Sequence, residues 1–87
     1  MEYFKKEKHE LLNIWAVAES LEQTEDVKNL KLDIAKLYFN LKKIDSKEKY
    51  LLLKKNEFES INKEIDKLYR ALHKIRVRQK KGSELEK

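Results

Sequence analysis

Val27, Leu30, Ile34, Leu37, Leu41 and Ile44 recur in alternating steps of three and four along residues 27–44. That spacing is a heptad seam, which lines the apolar side chains along one stripe of an α-helix and turns its other faces to water. A second seam, Phe58, Ile61, Ile65, Leu68, Leu72 and Ile75, runs in a register displaced by three residues from that of Leu30, Leu37 and Ile44. A turn or a stammer must therefore interrupt the pattern between Ile44 and Phe58. Ahead of both, Phe4, Leu11, Leu12, Ile14, Trp15, Ala18 and Leu21 make one broad apolar face.

Composition agrees with a helical reading. The chain has no Pro and one Gly, 43% of its residues are charged, and Lys, Glu, Leu and Ile dominate, as in coiled coils and long amphipathic helices. At 87 residues it makes one domain, and a chain of that size buries only about 60–65% of its unfolded surface. With no Cys it has no disulfide and no thiolate metal site; helix packing or oligomerisation must supply the stability.

The expected fold is all-α: an antiparallel three-helix bundle with coiled-coil-like heptad packing and a long basic C-terminal helix. The helices are expected at about 2–22, 25–44 and 46–81, in a single domain over 1–81. Thr24 reads as the N-cap of the second, with Glu25 and Asp26 in a first turn where the helix dipole favours anions. The second turn falls at Asp45-Ser46, where Glu48 would complete a capping box, or near Asn56, with Glu59 three residues on; Asp45-Ser46 is favoured. Gly82 reads as the residue that stops the last helix, leaving 82–87 as a frayed tail.

Two surfaces follow. A helix over 46–81 would reach about 54 Å against about 30 Å for its neighbours, so its far half would overhang. Ile61, Ile65, Leu68, Leu72 and Ile75 then form a partner interface, with a second copy or another protein covering the bare stripe. The same region, KLYRALHKIRVRQKK over 67–81, holds seven Lys/Arg and no acid in a chain of net charge +5. Lys67, Arg70, Lys74, Arg76, Arg78, Lys80 and Lys81 are the polyanion-binding candidates. Arg70, Lys74, Arg78 and Lys81 follow steps of four, four and three, a row of cations able to track a phosphate backbone.

Catalytic chemistry finds little support. His9-Glu10-Leu11-Leu12-Asn13 has the outline of a helical zinc motif, but Asn13 stands where the second imidazole is needed. His73, amid cations, reads as a solvated surface residue. One Gly cannot build a phosphate-cradling loop. No catalytic residue, metal, cofactor or small-molecule substrate is expected. Trp15 reads as a core anchor, with docking of another protein as the alternative; Tyr38 and Tyr69 flank the seams. Phe39, off the main stripe, reads as widening the buried face of the second helix. Residues 30–44 and 61–75 share Ile, Lys, Leu and Tyr at matching positions, which two Leu/Ile/Lys heptad helices also reach by chance.

No unbroken apolar run approaches the ~20 residues of a membrane span, and neither an N-terminal h-region nor an Asn-x-Ser/Thr sequon occurs; a cytoplasmic location is the expectation. The expected function is that of a non-enzymatic protein–protein interaction module, self-associating through the seam of its last helix. Nonspecific nucleic-acid binding by the basic helix is the alternative. Membrane-surface binding ranks third, because the basic segment lacks Trp or Phe anchors.

Overall fold

The heptad stripe of residues 27–44 does what its period requires. In the computed structural model, which describes residues 3–85 with the side chains of 3–80, Val27, Leu30, Ile34, Leu37 and Leu41 are all buried along one side of α2 (Glu25–Lys43). They share one core with Phe4, Leu11, Ile14 and Ala18, mostly from α1 (Lys5–Glu19), and with Ile65, Leu68, Leu72 and Ile75 from α4 (Lys55–Leu85). A fourth, short helix, α3 (Lys47–Leu52), joins α2 to α4. The chain is all-helical, and no strand occurs among the described residues.

Contacts at the helix ends set the arrangement. Where α1 begins, the Tyr3 N–H donates to Asp45 Oδ1 at 2.7 Å, just after α2 ends, and Phe4 packs on Phe58 near the start of α4. At the opposite end the Glu22 N–H donates to Gln79 Oε1 at 3.1 Å and Gln79 Nε2 returns a bond to the Glu22 carbonyl at 2.9 Å. Arg78 reaches Asp26, in the first turn of α2, at 3.3 Å. The long helices α1, α2 and α4 thus each pack on the other two, in a body of 55 × 20 × 18 Å.

The connection after α2 departs from expectation. Two breaks occur where one was favoured, close to both of the competing positions. Asp45 does not cap the new helix: its carboxylate is taken by the Tyr3 N–H and by Lys8 Nζ at 2.6 Å. Ser46 caps α3 instead, its hydroxyl accepting from the Lys49 N–H at 3.3 Å, the N3 amide such a cap satisfies. Leu53 then leaves the helix with φ −68° and ψ 135°, and α4 starts at Lys55, with Glu57 Oε1 accepting from the Lys54 N–H at 3.4 Å. The two breaks absorb the register displacement, and Tyr50 and Leu53 pack against the core between them.

Two further ends differ. Thr24 has the extended backbone of an N-cap, φ −79° and ψ 172°, but makes no side-chain capping bond. The last helix runs through Gly82 to Leu85, where a stop at Gly82 was expected; with no positive φ on that glycine, the left-handed turn that ends many helices is not used.

Candidate interaction surfaces

The expected partner interface lies inside the molecule. Ile65, Leu68, Leu72 and Ile75 are 2–8% exposed in the shared core, and Ile61 is half-buried against it. The structure brings these residues together, but α1 and α2 cover them, so they present no bare stripe. The error lay in the length of the last helix. Because the chain turns again at Leu53-Lys54, α4 begins nine residues later than expected, and α1 lies beside it from the Phe4–Phe58 contact to the Glu22–Gln79 pair.

The basic set divides between two sides of α4. Lys67, Lys74 and Arg78 line a groove against α2 whose far wall carries Asp26, Asn29 and Asp33. That wall offsets their charge, most directly in the Arg78–Asp26 pair, although both partners are well exposed and such a pair contributes little. Arg70, Arg76 and Lys80 are exposed; the side chain of Lys81 lies outside the described set. Lys63, one turn before Lys67 and also exposed, extends the row of Lys67, Arg70 and Lys74. Its four-residue spacing from Lys67 is legible in the sequence, but Glu64 and Asp66 separate it from the acid-free run. His73 and His9 are exposed on α4 and α1. No cluster of three or more His, Cys, Asp or Glu side chains forms among the described residues.

An apolar surface appears instead between α1 and α2, in a groove lined by Leu12, Trp15, Ile34, Ala35, Tyr38 and Phe39. Leu12 is 52% exposed and Phe39 58%, which corrects the expected burial of both. Phe39 sits five residues from Ile34 and two from Leu37, so it faces away from the stripe that enters the core. Its ring stands edge-on to Tyr38, with centroids 6.0 Å apart. Leu32, two turns before Phe39 on the same face, is 54% exposed.

Trp15 is half-buried at the edge of the core, neither the sealed anchor nor a fully open ring. Lys31 Nζ lies 4.9 Å from its ring centroid, and the same ammonium pairs with Glu19 and donates to Gln23. Exposed charges of both signs stand on the two helices that form the groove: Glu19 on α1, Lys28 and Lys42 on α2.

A third feature is α3 itself, which buries no residue and displays Leu51 and Leu52 at 69% and 79% exposure. Among the described residues no helix is long and apolar enough to cross a membrane. No protein-family model matches this sequence, and neither the curated proteins nor the solved structures yield a significant match.

Proposed function

We propose that the chain is an antiparallel three-helix module, packed in coiled-coil fashion, that works by binding another protein rather than by catalysis. The supporting observation is the open groove of Leu12, Trp15, Tyr38 and Phe39, set beside a core in which both heptad seams are already buried. An aromatic, rigid-walled apolar groove is the kind of surface into which an amphipathic helix lays its apolar face. Its lining is apolar apart from the Trp15 indole N–H and the Tyr38 hydroxyl, which favours binding over turnover. Exposed Lys28 and Lys42 on α2 favour an occupant helix whose flanks are acidic. A cytoplasmic setting goes with a chain without cysteine or glycosylation sequon.

A titration followed by two-dimensional NMR tests this reading. The probe is a synthetic amphipathic peptide with a Leu stripe and Glu flanks. Shifts should gather on the Trp15 indole N–H and on Leu12 and Phe39, and should vanish in Leu12→Ser/Phe39→Ser, whose two sites are exposed enough to leave the fold intact. Shifts elsewhere, or equal shifts in the variant, refute the groove. Light scattering over a concentration series adds a second arm: a dimer dissolved by the same double variant makes a second copy the occupant.

A second reading draws on the exposed row Lys63, Lys67, Arg70 and Lys74 along α4, which suits nonspecific binding to nucleic acid. Duplex affinity should then fall steeply with salt, by a log–log slope of about −0.9 for each phosphate contacted. Arg70→Glu/Lys74→Glu should abolish it. Affinity that ignores salt removes this reading.

A further inference from the structure

We propose that the α3 end of the bundle is a docking tip for the surface of an anionic lipid bilayer. The observation is a mismatch inside a six-residue helix. Tyr50 turns inward, stacking on Tyr3 at 4.8 Å and meeting Phe4 and Phe58 edge-on at 5.6 and 5.3 Å, and Leu53 packs beside it. These contacts hold α3 in place. Leu51 and Leu52 contribute nothing to that anchoring, and they are the most exposed large apolar side chains described.

Their surroundings indicate what covers them. Lys47, Lys49, Lys54 and Lys55 flank the two leucines in the chain, all exposed. The Tyr3–Tyr50 stack brings the first turn of α1, with exposed Lys5 and Lys6, to the same end. Of the nearby acids, Asp45 is taken up by Lys8 and the Tyr3 N–H; Glu48, Glu57 and Glu59 are exposed and Glu7 partly so, leaving the six lysines in excess of these four acids.

Two exposed leucines offer too small an apolar area for a stable protein interface, which takes roughly 800 Å² on each partner. The same pair suits a surface that yields to it. Leucine side chains enter the boundary between headgroups and acyl chains while the lysines remain among anionic headgroups, each cation strengthening binding roughly fivefold. Neither element would hold the protein alone, and together they give reversible attachment. The α1–α2 groove and the outer row of α4 take no part, so this inference stands apart from the function proposed above.

Vesicle sedimentation with the whole chain tests it, using phosphatidylglycerol mixed into phosphatidylcholine against pure phosphatidylcholine. Binding is expected to the mixed vesicles, weakened by salt, with little to the neutral ones. Leu51→Ser/Leu52→Ser should lower it about tenfold or more while keeping the circular dichroism spectrum and melting temperature, because neither leucine is buried. Lys54→Glu/Lys55→Glu should lower it further. If the serine variant binds like the parent, the attachment is electrostatic adsorption by other cations and the tip plays no role. If the parent ignores anionic vesicles, the tip does not dock on lipid. Either result overturns the proposal.

Discussion

Leu72→Glu should leave the chain largely unfolded at 25 °C, with its helical circular dichroism lost and no cooperative melting transition. Leu72 is 5% exposed at the centre of the α4 stripe, among core residues of α1 and α2. Substitution removes packing that contributes about 2–5 kcal/mol. It also places a carboxylate in an apolar site, adding a penalty of several kcal/mol whether the group stays charged or takes up a proton. A domain of this size has about 5–10 kcal/mol in all, so the sum reaches the whole stability. Arg70→Glu, two residues away on the exposed side, should move the melting temperature by only a few degrees. The pair of variants also separates two accounts of the seam. Were it an interface between copies, Leu72→Glu would yield a helical monomer instead; a folded monomer would show that the stripe is not core.

The second large effect belongs to Asp45. Its carboxylate accepts from Lys8 Nζ and from the Tyr3 N–H, and the Lys8 and Asp45 side chains are only 10% and 11% exposed. The hydrogen bond from Lys8, then that from the Tyr3 N–H, hold the carboxyl below its ordinary value of 3.8, against the opposing pull of desolvation. Asp45→Asn keeps an acceptor for Tyr3 but removes the charge facing Lys8. It should cost about 2–3 kcal/mol, a fall in melting temperature of about 10 °C or more.

The pH dependence follows from the direction of the shift. The folded carboxyl has the lower pKa, so its contribution is complete above the unfolded value and is lost as pH falls through the folded one. The difference in melting temperature between parent and Asp45→Asn should hold steady near neutrality, narrow below about pH 5 and close as Asp45 protonates. A difference that persisted unchanged into strong acid would mean that the pair contributes through packing alone. Since Asp45 ties α2 to the start of α1, the variant should also loosen the Tyr3, Phe4 and Tyr50 cluster, visible as broadened aromatic resonances.

Much of the helical frame was legible in the residues. The stripe from Val27 to Leu41 and that from Ile65 to Ile75 are buried as their periods require, and the turn after Glu22 falls where Thr24, Glu25 and Asp26 indicate. The candidate surfaces were far less legible. Phe39 and Leu12 read as core because both are large and apolar, yet the helix period puts each off the buried stripe, where only a neighbour's position decides whether it is covered. The polyanion row was visible as a run of cations, but the acids opposite it, Asp26 and Asp33, are distant in sequence and meet Lys74 and Arg78 only across the α2–α4 groove.

Local pattern is enough to determine that this chain is helical, which faces of its long helices are apolar and where Thr24 allows a helix to begin, because periodicity and capping act within a few residues. The tertiary structure decided the rest. It decided that Asp45 serves Lys8 and Tyr3 rather than a helix cap, and that a second break at Leu53-Lys54 lets α1 cover the seam of α4. It also decided that Leu12, Trp15 and Phe39 stay open and that Leu51 and Leu52 stand at the tip. Each of these depends on which helix lies beside which, and packing over long sequence separations is not written in the period of any single helix.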